Sequence, residues 1–378
     1  PAGTLLFIRG FVHGGNNGLK VVATGGDTAT IVVEDASSIV DEVAGAGVSV
    51  YVVGYQFPED DLSINAQGNI VSASVDFSMF ALEHGSAIYI GGLGASASFD
   101  NVNDVGLARV RDVAVSLLTI DKQQQQFAAD AGAGKKIQLF FGWFLRNVPT
   151  DHAKFKEHSY SFEACYPGLG DNNQDGYEYS RGNYINTLEL ALPLNDKSEM
   201  TITTFGKDVD AITTTREAWT IGNPLFTEAY STPSDFLRLR MQNVDETGLT
   251  TFFKEATLTI NNNVSGENVL GKLGPAFVNY GNFDVSLSTS AVFTSPALTS
   301  KIRNNCTVTC DFCITNNDAG FYFDIPSMTL GDGAKDFAVN EKVKIALSSN
   351  AFGDAALGYT ISQTFFPYLP SDKADACN

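Results

Sequence analysis

The sequence predicts a mainly β protein: antiparallel sandwich- or tube-type β-domains with one short helix, preceded by small tandem β modules. Three observations predict it. Apolar residues recur at every second position in several segments, the period of a strand with one wet face. The composition combines 35 glycines with only 18% charged residues, and long Thr/Val/Phe-rich stretches suit pleated, half-buried surfaces better than helices. Turn residues interrupt the apolar runs nearly everywhere. With 378 residues, 44% of them hydrophobic, the chain can bury a sizeable core, and the length prior is two to three domains.

An internal repeat comes first. Phe7–Phe11 leads to Asn16-Asn17-Gly18 and Leu19–Val22, then Thr30–Glu34; Tyr89–Leu93 leads to Asn103–Val110, then Leu118–Asp121. Both copies read strand, Asn- and Gly-containing turn, strand, strand, and the Asn-Gly step supplies the positive φ of a tight hairpin. Residues 1–138 are therefore expected to hold two modules in tandem, closed by the polar stretch from Gln123 to Gly134. Beyond it Tyr160, Phe162 and Ala164 alternate with Ser159, Ser161 and Glu163. Leu188, Leu190 and Leu192 alternate with Thr187, Glu189 and Ala191. Val285, Leu287, Ala291 and Phe293 oppose Asp284, Ser286, Ser288 and Ser290, and Val343, Ile345 and Leu347 oppose Lys342 and Lys344. Each is a strand with a core side and a solvent side. Ser295 as N-cap and Pro296 in the first turn open a helix over 295–303, with Leu298 and Ile302 on one face. A weaker repeat sets Phe162–Pro167, Leu188–Leu192 and Met200–Gly206 beside Phe323–Pro326, Val343–Leu347 and Ala351–Gly353. It suggests a first tube-type domain over 139–249, possibly incomplete, and a second over 250–378.

The chemistry is mostly absent. The net charge of -19 and pI near 4.5 argue against a surface that grips phosphates or anionic lipid, though not against one that DNA slides past. The apolar run Ile137–Leu145 is too short to span a bilayer, no signal peptide opens the chain, and five cysteines point to a reducing compartment. His13, His84, His152 and His158 are scattered, and no catalytic or phosphate-binding motif occurs. Cys310 and Cys313 fall on opposite faces of one strand and, with Cys306, read as small hydrophobes rather than metal ligands. Asp171–Gly176 matches the first half of a calcium loop, but Gly182 stands where the closing Glu belongs. No metal, cofactor or enzymatic activity is expected.

The stretch from Ser159–Glu163 through Tyr166–Gly170, Tyr177-Glu178-Tyr179, Gly182-Asn183, Asn186–Leu188 and Leu192-Pro193-Leu194 resembles the bacteriophage major tail tube proteins. So do Leu258–Val264 with Val269-Leu270-Gly271, Asn279–Phe283, and Phe323–Gly331. The modules before residue 121 look like the β insert of long members, so the resemblance covers most of the chain in order. It implies a virion structural protein of the tail, assembled in the host bacterial cytoplasm. It further implies that copies form stacked rings, a trimer with pseudo-sixfold symmetry or a hexamer, and that the tube is the conduit for genome ejection. The implied partners are the chain itself, the tape measure, terminator and distal tail proteins, and genomic DNA in transit without specific binding; no membrane is involved. A non-contractile, siphovirus-like tail is expected.

On that reading the wet strand faces with Ser159, Ser161, Glu163, Thr187, Glu189, Thr201 and Thr203 are lumen candidates, with outer solvent as the alternative. The hairpin with Asp171, Asn173, Asp175, Tyr177 and Arg181 is the candidate for reaching an adjacent subunit or ring. The chain starts inside what reads as the insert, so either a Met preceded Pro1 or upstream residues are missing. The competing reading is a calcium-assisted carbohydrate-binding β-sandwich, with Trp143, Trp219 and Tyr177 as its aromatics.

Overall fold

A computed structural model describes residues 1–24, 30–122, 126–169, 173–217, 229–242, 253–272, 274–293, 297–316 and 318–370. Strands take 51% of the residues and helices 5%, and the sheets are antiparallel, so the expected fold class holds. The first ten strands are β1 (Thr4–Arg9), β2 (Gly18–Thr24), β3 (Val32–Val33), β4 (Ser49–Gln56), β5 (Leu62–Ile64), β6 (Ile70–Ser72), β7 (Ala87–Ile90), β8 (Gly106–Ala114), β9 (Leu117–Ile120) and β10 (Gln138–Phe141). They form one sheet in the order β3-β2-β1-β4-β10-β7-β8-β9-β6-β5. The two repeat copies, β1–β2 and β7–β8, thus share a sheet, joined through β4 and β10. The expected boundary at 138 falls inside β10, whose Leu139 packs with Phe57, Ile88 and Ile90 in the larger core of this module.

The repeat has a physical basis. Gly10 and Gly91, at φ 99° and 100°, end the outgoing strands, and Gly18 and Gly106, at φ 91° and 124°, begin the returning ones. Between them each copy makes a single 3-10 turn, Gly14–Asn16 and Val102–Asp104, that buries Asn16 or Asp104. The connection is not the tight Asn-Gly hairpin the sequence suggests. Asn17 is extended, at φ -92°. Its side chain accepts from Phe11 N at 3.0 Å and donates to Phe11 O at 2.9 Å, closing a longer loop instead.

The remaining strands are β11 (Trp143–Arg146), β12 (Tyr160–Leu169), β13 (Gln174–Leu192), β14 (Glu199–Phe205), β15 (Asp208–Val209), β16 (Phe236–Gln242), β17 (Phe253–Asn261), β18 (Ser265–Glu267), β19 (Phe277–Asn279), β20 (Asp284–Val292), β21 (Thr307–Asn316), β22 (Ala319–Asp336), β23 (Lys344–Ala351) and β24 (Ser362–Phe366). The helices are α1 (Thr232–Asp235) and α2 (Ala297–Arg303). β22 is long enough to serve two layers. Its first half pairs with β24 and β21, and its second half with β23. One layer runs β14-β13-β17-β20-β23-β22, the other β11-β24-β22-β21-β16. Leu190, Leu258, Leu287, Ile345, Phe312, Ile325 and Met241 fill the core between them, with Leu298 of α2.

Cys310 lies in that core, whereas Cys313 faces the other way, against Ala87 and Leu107 of the N-terminal module. Ser295 and Pro296, and the expected boundary at 249, lie outside the described residues. Strands on either side of that boundary share one sheet and one core. The two members of the weaker repeat differ at their first element: Phe162 is exposed on β12, while Phe323 is buried on β22. Two similar alternations sit in different surroundings.

Module and sandwich meet across a buried ionic joint. Arg109 of β8, 1% exposed, donates from Nη1 to both oxygens of Asp324 on β22 at 2.7 and 2.9 Å and pairs with Asp121 at 2.9 Å. Thr309 accepts a further Arg109 bond, and Tyr359 Oη donates to Asp324 at 3.0 Å. Beside it Arg238 pairs with the fully buried Asp311 and donates to Leu107 O. Tyr359 also rests on Gly85, whose φ is +87° and where a Cβ would lie 2.3 Å from the Tyr359 ring. Gly85→Ala is expected to destabilise the chain by about 1–3 kcal/mol through this overpacking, measured by urea unfolding against the unaltered chain.

Candidate assembly surfaces

β12 and the first part of β13 stand off the sandwich as a hairpin arm, paired from Tyr160↔Asn183 to Leu169↔Gln174. β13 leaves the sheet through Gly182, whose φ of +61° lets the backbone turn there. One face of the arm is strapped by residues 207–217. β15 pairs with Ser180 and Arg181, and Thr213 bridges to Tyr177. Arg216 Nε donates to both Glu163 oxygens at 2.9 and 3.0 Å, and Tyr179 Oη donates to Glu163 at 3.0 Å. The Arg216 bond holds the Glu163 carboxyl below the usual carboxylate range. Arg181 pairs with Asp210 and Glu217, and the two arginines lie over the Tyr179 and Tyr177 rings. The other face is bare: Tyr160, Phe162 and Tyr166 are 46%, 48% and 39% exposed. At the tip Asp175 accepts from Gly168 N at 3.1 Å, and Asn173 takes the turn at φ +50°. Asn173, Asp175, Tyr177 and Arg181 therefore share this arm. Asp171 lies outside the described residues.

The seven lumen candidates divide. Ser159, Ser161 and Glu163 belong to the arm or its root, and Glu163 is tied down by Arg216. Thr187, Glu189, Thr201 and Thr203 come together on the outer face of the sandwich, where Thr187 opposes Thr203 and Glu189 opposes Thr201. The register carries this face onward to Thr257, Thr259 and Asn261 of β17, then Asp284, Ser286, Ser288 and Ser290 of β20, then Ala346, Ser348 and Asn350 of β23. It is a broad wall of hydroxyls and amides with scattered carboxylates, and the first cation on it is Lys344 at its rim. Sequence reasoning placed β13 and β14 on this face and did not join β17, β20 and β23 to it. The alternation was visible in β20 and β23, but strand neighbours are set by long-range pairing, which alternation does not encode.

Among the described residues β14 ends this sheet. It pairs with β13 on one side, and Met200 and Ile202 are 54% and 48% exposed. Behind it, between the two layers, opens an apolar cavity of about 430 Å³ whose walls include Leu145, Leu188, Met200, Phe283, Phe321 and Ile361. A strand edge with bare apolar side chains is a template for pairing with another strand. Among the described residues no cluster of three or more His, Cys, Asp or Glu could hold a metal ion, and no helix is long and apolar enough to cross a membrane.

A comparison with curated proteins returns no match. The family model described as phage tail tube protein matches residues 6–356, nearly the whole chain. That span takes in the repeat module, the arm and the hydroxyl-rich wall, and the chain belongs to the phage tail tube protein family.

Proposed function

We propose that copies of this structural tail protein join side by side into rings, that the rings stack into a tube, and that the hydroxyl-rich wall lines its channel. The wall is the observation that carries the reading. DNA phosphates bind lysine and arginine strongly and with release of counterions. A surface of Thr, Ser, Asn and a few carboxylates offers water-like contacts and mild repulsion, so a genome passes without being held. The single sandwich per chain supports six copies in a ring rather than three. The edge of β14, unpaired among the described residues, is the natural seam between neighbours, because pairing it there covers Met200 and Ile202. The arm, with Asn173, Asp175, Tyr177 and Arg181, reaches beyond its own sandwich toward another copy. Tape measure, terminator and distal tail proteins complete the tail in this reading, which is non-contractile and assembled in the host cytoplasm.

Negative-stain electron microscopy of the purified chain at high concentration tests it: rings or tubes with a stain-filled channel are expected, and a monomer at every concentration would refute it. Ile202→Lys is expected to keep the circular dichroism spectrum and abolish rings, since lysine on a free edge blocks strand addition. Rings formed normally by that variant would move the seam elsewhere.

A further inference from the structure

We infer that successive copies meet head to tail through opposite charges, the acidic arm of one against the lysine-rich floor of the sandwich of the next. The inference rests on the tube reading and names the surfaces that stack. Its basis is the charge distribution along the sheet. In a chain of net charge -19, residues 160–183 and 207–217 hold seven carboxylates against three cations. Asp175 and Glu178 sit on the arm with no ion pair among the described residues; Glu178 accepts only from Tyr166 Oη, at 2.8 Å, and Asp175 from Gly168 N.

The sheet's other end is different. β13 runs from the arm at Tyr184, opposite Phe205, to Leu192, opposite Ala256. At that far end the register gathers Phe253, Ala291, Val292, Lys344 and Asp336. Lys254, Lys335, Lys342 and Lys344 project there. α2, whose Ile302 lies over Gly333 of β22, adds Lys301 and Arg303 in its last turn. Among the described residues seven cations, Lys197 of the β13–β14 turn included, thus lie at this end beside six carboxylates, Asp196, Glu199, Glu255, Asp332, Asp336 and Glu341, a richer share of cations than the chain's 24 against 43. Lys344 pairs with Glu341 at 2.7 Å, and Lys335 lies 4.6 Å over the Phe293 ring; Lys342 is exposed.

The two poles cannot meet within one copy, because they leave opposite ends of the same strand. The arm alone extends β13 by about 30 Å at roughly 3.3 Å per residue. Two different, complementary surfaces on one molecule make a heterologous contact, which repeats along an axis rather than closing on itself as a dimer. Charge complementarity of this kind selects the partner and its orientation. The strap of Arg216, Glu163, Arg181 and Asp210 fixes the arm's shape before contact, which lowers the entropy lost on docking.

A charge swap in the full-length chain tests this. Lys335→Glu with Lys342→Glu is expected to stop tube growth at single rings or short stacks, read as loss of the fast-sedimenting fraction. Asp175→Lys with Glu178→Lys is expected to do the same, and the four substitutions together to restore tubes. Tubes of the unaltered chain are expected to shorten between about 0.1 M and about 1 M salt, as the screening length falls from about 10 Å to about 3 Å. If the unaltered chain makes tubes and both charge-reversed variants make them equally well, the stacking inference is overturned while the tube reading stands. Equal loss in the fourfold variant also overturns it. If the unaltered chain makes no ring or tube at all, the tube reading falls and this inference with it.

Discussion

Arg109→Ala is expected to destabilise the folded chain by about 3–5 kcal/mol at neutral pH, the usual cost of removing one partner of a buried ion pair. The guanidinium is 1% exposed and serves two carboxylates at once. Without it, Asp324, which is fully buried, keeps Tyr359 as its donor among the described residues, beside the neighbouring charge of Asp311. The pH dependence has a definite sign. Burial outweighs Arg109 and raises the Asp324 carboxyl above its ordinary value, so the folded chain holds this proton more tightly than the unfolded chain does. That contribution is fully present below the unfolded carboxylate pKa of about 3.9 and is lost as pH rises through the folded value. Removing Arg109 raises the folded value further. The deficit of the variant relative to the parent should therefore shrink on acidification and grow toward neutrality. Urea unfolding of both proteins at several pH values measures it, and a deficit independent of pH would show that Asp324 does not feel the loss.

The second large effect concerns passage. Lysines placed on the hydroxyl-rich wall, as in Glu189→Lys with Thr201→Lys and Ser288→Lys, are expected to leave tubes intact by electron microscopy and to block genome exit. All three positions are on the solvent side of their strands, so the core between the layers is untouched. Each lysine that meets a phosphate adds about 0.9 to the negative slope of log affinity against log salt. Particles carrying the variant should thus lose infectivity, and their ejection in vitro should recover at high salt. Undiminished infectivity with normal tubes would place the wall elsewhere than in the channel.

The strands themselves were legible in the sequence because period-two alternation is a local property. Leu190 and Leu192, Val285 and Leu287, Ile345 and Leu347 are buried on the sides their alternation assigns. Cys310 and Cys313 likewise occupy opposite faces. What alternation could not distinguish was a strand on the core from one standing off it. Tyr160, Phe162 and Tyr166 alternate as a buried strand would, yet are exposed, because among the described residues no second layer lies behind β12. The Asn16-Asn17-Gly18 step was read as a hairpin from its dipeptide alone, whereas the side chain of Asn17 is spent on Phe11 and only Gly18 has positive φ. The hydroxyl-rich wall emerged only with the register. Thr187, Thr201 and Thr203 were legible as strand faces, but nothing local tells Thr259 of β17 that it lies beside Glu189. Arg109 was hidden for the same reason: a lone arginine in a β repeat carries no sign of the aspartate it meets 215 positions later.

That separation sets a schedule for folding. The N-terminal sheet contains all its own strands within the first 141 residues and can form as soon as they are available. Its Arg109 then waits for β22, and β11 waits for β24, its only strand partner among the described residues. Contacts between such distant segments close loops at high entropic cost and make folding slow. The sandwich is thus completed only once β24 has been made. Until then β11 and the first half of β22 lack the strand that joins them, so the layer behind the wall stays open. β24 is thereby the closing piece of the fold, tying Trp143 to Phe365.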